Sequence, residues 1–440
     1  MKRIITALLS LAMSVSSFAA ITCQSLFPSQ GLTDPHVWIK DGRIYLFAGH
    51  DVLDEFQNTW TIDSWQIWSS DDLRSWRYES TIDPKDTYIG DKPNCWAGDI
   101  VERDGKYYWY FSNRNIDTGV MVSDRIDRGY KDALGKPLLP ADIIKGHPYD
   151  PEIFVEDGRY YILFSAGTYY ISELNEDMIS LKHKPRPIDV LDSEGKRVYT
   201  ADKSTTFYRD GIYYLVWGEH YATADNIYGP YTYRGDFLRG GHSSVFKWGE
   251  QWYVVQVHKE VSLLYRGISL KPVEFDKNGF VVIPEDDCDY QYLRRTIEFC
   301  YGDMGMRTVS GEALKHNLKS ETISGDLSAD GTVVKSAEWL LNPTQNLSQV
   351  KITMKNHSNA AQARVEIESF NPQSTFWTKP EIKGEMWSQS FDLRPASEGF
   401  VTYTISLDAS KLQRALRTLS IEPAVGKRSG RWEIKRIDIE

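Results

Sequence analysis

The sequence is poor in long apolar runs and in cysteine. Beyond the first twenty residues, no stretch approaches the run of about eighteen apolar residues that a membrane-spanning helix needs, so we expect no membrane span. The four cysteines, Cys23, Cys95, Cys288 and Cys300, have a spacing that matches no metal-binding motif. We expect free or structural cysteines, and a disulfide between Cys288 and Cys300 is the alternative for an exported chain.

Positive charge is also in short supply. Lysine and arginine number 51 against 61 aspartates and glutamates, so the formal net charge is -10. Such a balance argues against a surface that binds nucleic acid or another polyanion. An acidic substrate stays open, because a local pocket can carry a charge opposite to that of the whole chain.

The N-terminus has the pattern of an export signal. Basic residues precede an apolar run over 4–13, and Ala19 and Ala20 supply small residues for cleavage. We therefore predict a signal peptide over 1–20 and a secreted or periplasmic protein. The residues before Cys23 match a lipoprotein signal poorly, so lipid anchoring at Cys23 is not expected.

One short pattern recurs through the first part of the chain. It begins with DPHVWIKDGRIYLF at Asp34 and consists of a strand, a tight Asp-Gly turn and an aromatic strand. Each copy is followed by a third strand of related pattern and a loop into a fourth. The turn glycines of the five copies are Gly42, Gly105, Gly158, Gly211 and Gly249. Five such units at blade-sized spacing predict an all-β fold with a five-bladed β-propeller over 21–305.

The repeated pattern fades after Pro284. From about Val309, alternating polar and apolar segments between Asn, Gly and Pro turns predict a β-sandwich domain of the jelly-roll kind over 310–440. This part contains Trp339, Trp377, Trp387 and Trp432. Exposed, they would stack on sugar rings, and buried, they would form a core. The second domain is therefore expected to be either a carbohydrate-binding or a supporting module.

The residues that open the five patterns are the first candidates for a functional site. Inner strands of a propeller begin at one face around the axis, so their opening residues converge there. These residues are Asp34, Ala97, Asp150, Lys203 and His242. Two of the five are Asp-Pro pairs at the same register, and the other three units begin without one. The carboxylates are thus not needed to form the unit, which favours a functional role.

Several of these segments, taken together, resemble glycoside hydrolase family 43. They are the phrases at Asp34 and Asp150, Trp96-Ala97-Gly98-Asp99-Ile100, Tyr221-Ala222-Thr223-Ala224-Asp225 with Gly229-Pro230-Tyr231, and Gly241-His242-Ser243-Ser244-Val245-Phe246. The likeness covers roughly 34–284. It implies a five-bladed propeller and inverting hydrolysis, often of arabinofuranosyl or xylosyl groups. It also implies that Asp34 is the catalytic base and that Asp150 orients the acid and tunes its pKa.

The proton donor is where the sequence departs from that family. The usual pattern has a Glu, a small residue and a Pro, with the Glu nine positions before the turn glycine. Counting back from Gly211 reaches Asp202, which we prefer as the acid, and Glu219 is the alternative on the same unit. Lys203 is expected to hold a substrate carboxylate or sulfate, or to pair with Asp202.

Other residues are candidates for substrate contacts. His242 resembles the histidine that family members place at the axis, often near a metal ion through water. We expect Trp96, His242 and Arg266 to contact substrate, and Asp51 to lie at the rim. No metal ligand is predicted and no cofactor is required. A structural calcium ion at the propeller axis is left open.

Two functional classes follow. The first is a secreted inverting glycosidase that removes arabinofuranosyl, xylosyl or related sugars from plant or algal polysaccharide, with an oligo- or polysaccharide as its partner. The second is a glycan-binding propeller without turnover, which the missing Glu keeps open. Turnover of nitrophenyl glycosides separates the two.

Overall fold

The computed structural model describes residues 23–28, 30–53, 59–285, 296–300, 302–345, 347–372, 384–395 and 398–440. Within these ranges the fold is all-β, with two short 3₁₀ helices at Pro84–Asp86 and Ala409–Lys411 and no α-helix. The same ranges contain no helix long and apolar enough to span a membrane. The predicted signal peptide, Cys288 and Trp377 lie outside the described residues.

The first part of the chain forms five separate sheets. Its strands in chain order are β1 (Gln24–Leu26), β2 (Leu32–Lys40), β3 (Arg43–Val52), β4 (Thr61–Ser70), β5 (Arg77–Ile82), β6 (Cys95–Arg103), β7 (Lys106–Asn113), β8 (Asp117–Ser123), β9 (Lys131–Asp132), β10 (Glu152–Glu156), β11 (Arg159–Phe164), β12 (Tyr170–Glu173), β13 (Arg186–Pro187), β14 (Val190–Leu191), β15 (Thr205–Arg209), β16 (Ile212–Trp217), β17 (His220–Ala224), β18 (Tyr231–Asp236), β19 (Ser243–Trp248), β20 (Gln251–Ser262), β21 (Tyr265–Phe275) and β22 (Val281–Val282). Strands β2–β5, β6–β9, β10–β13 and β14–β18 make the first four sheets, and β19–β22 with β1 make the fifth.

The predicted Asp-Gly hairpins are present. In the first four sheets an aspartate with φ between 49° and 53° precedes a glycine with φ between 73° and 88°. Two successive residues with positive φ form the type I′ turn, whose twist matches that of the flanking strands. The pairs are Asp41-Gly42, Asp104-Gly105, Asp157-Gly158 and Asp210-Gly211. Turn chemistry therefore fixes the register of these four inner hairpins.

The five sheets contact one another in a closed cycle. The first strand of each inner hairpin lies at an edge of its sheet, and we call it the inner strand of that sheet. In chain order the inner strands are β2, β6, β10, β15 and β19. Each contacts the next, and β19 contacts β2 again. Strand β1, from the beginning of the described chain, pairs antiparallel with β21 of the last sheet. The fifth sheet therefore contains strands from both the beginning and the end of this first part of the chain.

The rest of the chain forms two further sheets. Its strands are β23 (Thr296–Glu298), β24 (Arg307–Ser310), β25 (Lys315–Asn317), β26 (Thr322–Asp326), β27 (Val333–Lys335), β28 (Gln349–Asn356), β29 (Gln362–Phe370), β30 (Glu385–Asp392), β31 (Val401–Ser406), β32 (Ala415–Glu422) and β33 (Arg431–Ile439). One sheet contains β23, β25, β26, β28, β31 and β33, and the other contains β24, β27, β29, β30 and β32. Both contribute side chains to a single hydrophobic core, for example Ile352 and Trp432 from the first and Ile367 and Leu419 from the second.

A hairpin of the fifth sheet packs against this second part. The N–H of Leu263, between β20 and β21, donates to the carbonyl of Trp339 at 3.1 Å. Leu263 and Leu264 share a buried cluster with Trp339, Phe370 and Ala415. The two parts of the chain are therefore joined through apolar contacts at that hairpin.

The state of the cysteines contradicts the alternative of a Cys288–Cys300 disulfide. Cys95 and Cys300 are free, and Cys23 is disulfide-bonded. A Cys288–Cys300 disulfide is thus wrong, because Cys300 carries a free thiol.

Candidate active site

Residues from all five sheets line one cavity of about 260 Å³. It lies where the inner strands begin, since the segments just before β10, β15 and β19 all reach it. Its lining consists of Asp34, Trp60, Trp96, Asp150, Asp202, Gly240, Gly241, His242, Val257, His258, Lys259, Leu263 and Arg266. The predicted convergence of opening residues is observed for Asp34, Asp150 and His242.

Asp34 is held between two cations. One of its carboxylate oxygens lies 2.9 Å from Nδ1 of His242 and accepts from Arg266 at 3.2 Å and from the Thr33 hydroxyl at 3.1 Å. Burial alone would raise the pKa of Asp34, but Arg266 and His242 outweigh it and hold that pKa well below its usual value. Asp34 is therefore ionised at any working pH.

Asp150 has the opposite electrostatic character. Its side chain is buried, and burial, with the nearby charges of Asp202 and Asp34, raises its pKa to about 7 against the opposing effect of His242 and Lys203. Its backbone N–H donates to Ser112 at 2.8 Å, which fixes the segment before β10. Both Asp34 and Asp150 have φ near 50°, a left-handed conformation that aspartate tolerates better than most residues.

Asp202 is the third carboxylate of the cavity, and it is exposed at the mouth. The hydroxyl of Tyr149 donates to its Oδ1 at 2.5 Å. Ligand atoms of Asp150, Asp202 and His242 lie within 4.8 Å of one another. The register argument thus leads to a residue that faces the cavity beside Asp150.

His242 lies between two of the carboxylates. Its Nδ1 is 2.9 Å from Asp34, and its Nε2 is 3.7 Å from Asp150. Burial would lower its pKa, but the charges of Asp34 and Asp150 prevail and raise it to about 9. The ring is therefore an imidazolium at neutral pH.

Arg266 reaches Asp34 because a second carboxylate holds it. Its Nε and Nη2 donate to the two oxygens of Asp51 at 2.9 and 2.8 Å, and its backbone N–H also donates to Asp51 at 2.9 Å. Asp51 is fully buried behind the guanidinium and does not line the cavity. The expectation that Asp51 lies at the rim is therefore wrong.

Two tryptophans form one wall of the cavity. Trp96 and Trp60 meet edge to face with ring centroids 6.4 Å apart. The indole N–H of Trp60 donates to the carbonyl of Leu263 at 3.1 Å, and Arg266 lies over its ring at 5.6 Å. Trp96 is thus at the predicted place, whereas no repeated pattern marks Trp60.

Two predicted site residues are not in the cavity. Glu219 lies between β16 and β17, one hairpin outward from the inner strand, and does not line it. Lys203 is completely buried, and its Nζ donates to the carbonyl of Pro151 at 2.8 Å and lies 3.8 Å from Asp99. Substrate contact and pairing with Asp202 are therefore wrong for Lys203.

The sequence from 27 to 281 matches the family model for glycosyl hydrolases family 43, which is more than half of the chain. The chain belongs to glycoside hydrolase family 43. It is therefore a glycosidase. The matched residues include every one of the five sheets' inner strands and all of the residues that line the cavity.

Relatives within family 43 agree with this assignment. A xylosidase/arabinosidase from Bacteroides ovatus is 25% identical over 325 residues, 59% of this chain and 97% of the relative. The structure of the β-xylosidase RS223 aligns with a TM-score of 0.53 at 23% identity, over 60% of this chain and 98% of that one. A family 43 β-xylosidase/α-arabinofuranosidase from a compost metagenome, solved with xylotriose in a calcium-free form, aligns with a TM-score of 0.52 at 22% identity, over 60% and 98% of the two chains. At these identities the solved structures establish a shared fold.

Most glycoside hydrolases use a pair of Asp or Glu residues that flank the scissile glycosidic bond. The cavity supplies an aspartate held ionised, Asp34, and a buried aspartate with a raised pKa, Asp150, beside a third at the mouth. Sequence reasoning missed Tyr149, the partner of Asp202, although it directly precedes Asp150 in the chain. It also missed Trp60 and Leu263, which lie outside the repeated patterns.

Proposed function

We propose that this chain is a secreted, inverting glycoside hydrolase that removes arabinofuranosyl, xylosyl or related units from plant or algal polysaccharide. The observation that carries the proposal is the convergence of Asp34, Asp150 and Asp202, from three different sheets, on one small cavity. The activities named for its relatives, xylosidase and arabinosidase, support the choice of pentose substrates.

Asp34 is proposed as the base. Inverting hydrolysis uses one carboxylate to orient and activate a water molecule against an oxocarbenium-ion-like transition state. The carboxylate must therefore be ionised and aimed at that water molecule. Arg266 and His242 meet both needs for Asp34, since they keep it charged and fix its position.

Asp202 is proposed as the proton donor, with Asp150 as its neighbour. A donor must reach the leaving oxygen and have a proton to deliver near the working pH. Asp150 lies close to Asp202 and is buried in a site that disfavours charge. Tyr149 occupies Oδ1 of Asp202, so its other oxygen is the one available to a leaving group. Glu219, which does not line the cavity, is not proposed as the donor.

The cavity suits the removal of single sugar units. Its volume of about 260 Å³ is just below the usual range of ligand sites, which enclose roughly 300–1,000 Å³. Trp96 and Trp60 offer aromatic faces and edges for a sugar ring, and His242 and Arg266 offer charged donors. An exo-acting enzyme that binds one terminal pentose fits these dimensions.

The architecture is proposed as two domains. The cycle of five sheets supports a five-bladed β-propeller over 21–305, and the two sheets with one shared core support a β-sandwich over 310–440. In the sandwich Trp339 and Trp432 are fully buried and Trp387 is 9% exposed. Their burial favours a supporting role for the second domain over glycan binding by these tryptophans.

A resident calcium ion does not fit the cavity residues. The candidate ligands, Asp150, Asp202 and His242, offer two carboxylates and one ring nitrogen, whereas calcium takes about six to eight oxygen ligands. No step of the proposed reaction runs through a metal ion.

Export is proposed from the signal-like segment over 1–20. The disulfide at Cys23 supports an oxidising compartment such as the periplasm or the exterior. It also leaves no thiol at Cys23 for a lipid, because a thioether needs the sulfur that the disulfide uses.

The proposed function is tested by turnover. Purified protein is assayed with the 4-nitrophenyl glycosides of α-L-arabinofuranose, β-D-xylose and β-D-galactofuranose, with the triple variant Asp34→Asn, Asp150→Asn, Asp202→Asn as the matched blank. Release of nitrophenol by the native chain alone supports hydrolysis and identifies the sugar. Binding of xylo-oligosaccharides without turnover on any substrate would instead favour the glycan-binding alternative.

A further inference from the structure

Lys203 is a buried cation directly beside the proposed donor in the chain. Its side chain has no exposed surface, and its Nζ donates to the carbonyl of Pro151 at 2.8 Å. Pro151 is the residue after Asp150, so this hydrogen bond connects the segment of Asp202 to the segment of Asp150. Burying a charge is unfavourable unless partners compensate it, so the partners of Lys203 matter.

One partner charge is Asp99, which is also fully buried. Its Oδ2 lies 3.8 Å from Nζ of Lys203 and accepts the N–H of Ile153 at 2.9 Å. Its Oδ1 lies 2.7 Å from Nε2 of His36. Ile153 belongs to the strand that follows Asp150, and His36 to the strand that begins at Asp34. One buried network therefore touches the segments that carry all three cavity carboxylates.

The backbone at Lys203 is held in an uncommon conformation. Its φ is 46°, in the left-handed region that residues other than Gly, Asn and Asp rarely adopt. Asp34 and Asp150, at the same register, have φ values of 49° and 53°. Such a conformation persists only where the surroundings fix it. The side chain of Lys203 contacts the carbonyl of Pro151 and the carboxylate of Asp99.

We propose that Lys203 is a positioning residue for the proton donor. Aspartate is the shorter of the two acidic side chains, so its backbone must come nearer to the cavity to reach a leaving group. The bond from Lys203 to Pro151 draws the backbone of Asp202 toward Asp150, and the ion pair with Asp99 keeps the ammonium in place. This inference rests on the proposed function, because it concerns the residue that donates the proton.

The test is the variant Lys203→Met, which keeps the length and removes the charge. The rates are compared on two glycosides of the sugar that the native chain hydrolyses, one with a dinitrophenyl and one with an alkyl leaving group. A misplacement of about 1 Å can reduce a rate on the order of 10²-fold. We expect kcat on the alkyl glycoside to fall on the order of 10²-fold, kcat on the dinitrophenyl glycoside to stay within about threefold, and KM to change little.

A matched control separates positioning from general stability. The buried hydroxyl of Tyr110 donates to the carbonyl of Met178 at 2.7 Å, a link to a backbone carbonyl that lies away from the cavity. Tyr110→Phe should lower thermal stability while leaving the ratio of the two rates unchanged. A changed ratio in Tyr110→Phe would show that the readout reports stability and would overturn the inference.

The double variant Lys203→Met, Asp99→Asn covers the case in which the single variant does not fold, since it removes both charges of this buried pair together. If the single or the double variant folds and its ratio of rates on the two glycosides equals that of the native chain, the inference is overturned. If neither variant folds, it is also overturned, because the role of Lys203 would then be structural. Asp202→Ala distinguishes the two levels of the account. If Asp202→Ala lacks leaving-group dependence, the donor assignment fails, and if it has that dependence while Lys203→Met does not, only the positioning role fails.

Discussion

The substitution Asp34→Asn isolates the charge of the proposed base. The amide has nearly the same shape, so the cavity keeps its form while the water loses its carboxylate. Removing a general base typically reduces the rate roughly 10²–10⁴-fold. We therefore expect kcat to fall by that factor, with little change in KM for a substrate that does not need the charge to bind.

The same substitution has a predictable effect on stability. Arg266 keeps both oxygens of Asp51, so it stays paired, whereas His242 retains only Asp150 at 3.7 Å. Loss of one charged hydrogen bond costs about 1.5–3 kcal/mol in the free energy of unfolding. The variant should therefore fold, with a lower melting temperature than the native chain.

The assay is steady-state kinetics on a 4-nitrophenyl glycoside, with circular dichroism to verify folding. Asp51→Asn serves as a comparison, since it weakens the support of Arg266 without touching the cavity lining. A folded Asp34→Asn protein that keeps more than half of its activity would refute the assignment of the base.

Three further predictions follow from the site. Asp150 lies beside Asp202, and its raised pKa of about 7 means that this pair of carboxyl groups holds a proton below that pH and loses it above. Because Asp202 must deliver a proton to the leaving group, activity should decline as the pH rises through about 7, and a rate that is flat to pH 9 would contradict this. Asp202→Ala should reduce the rate of hydrolysis of alkyl glycosides far more than that of dinitrophenyl glycosides. Glu219→Ala should affect both rates alike, and the reverse result would exchange the roles of the two residues. Trp339→Ala removes a fully buried side chain that packs in the same cluster as Leu263. It should lower the free energy of unfolding by about 3–5 kcal/mol, measured by denaturant titration, and should raise KM, measured by steady-state kinetics.

The sequence was sufficient for features that repeat or that depend on local chemistry. The Asp-Gly turns specify hairpins because their backbone angles need those residues, and the equal register of Asp34 and Asp150 placed both at the same end of their strands. The same register led to Asp202. These predictions needed only the repeat and the general geometry of inner strands.

Contacts between distant segments could not be read in this way. Asp51 and Arg266 are 215 positions apart, and only the closed cycle of sheets brings them together. Lys203 has the register of a cavity residue, yet its side chain turns inward, because Asp99 and the carbonyl of Pro151 offer it partners there. Trp60 and Leu263 belong to no repeated pattern, so their place in the wall follows from tertiary packing alone.

The stereochemistry of the first product tests the central claim most directly. Proton NMR during hydrolysis of 4-nitrophenyl β-D-xyloside, or of the α-L-arabinofuranoside if that is the better substrate, shows which anomer forms before mutarotation. A base and an acid acting through a water molecule predict inversion, so α-xylose, or β-arabinofuranose, should appear first. First appearance of the anomer with the configuration of the substrate would contradict the roles assigned to Asp34 and Asp202.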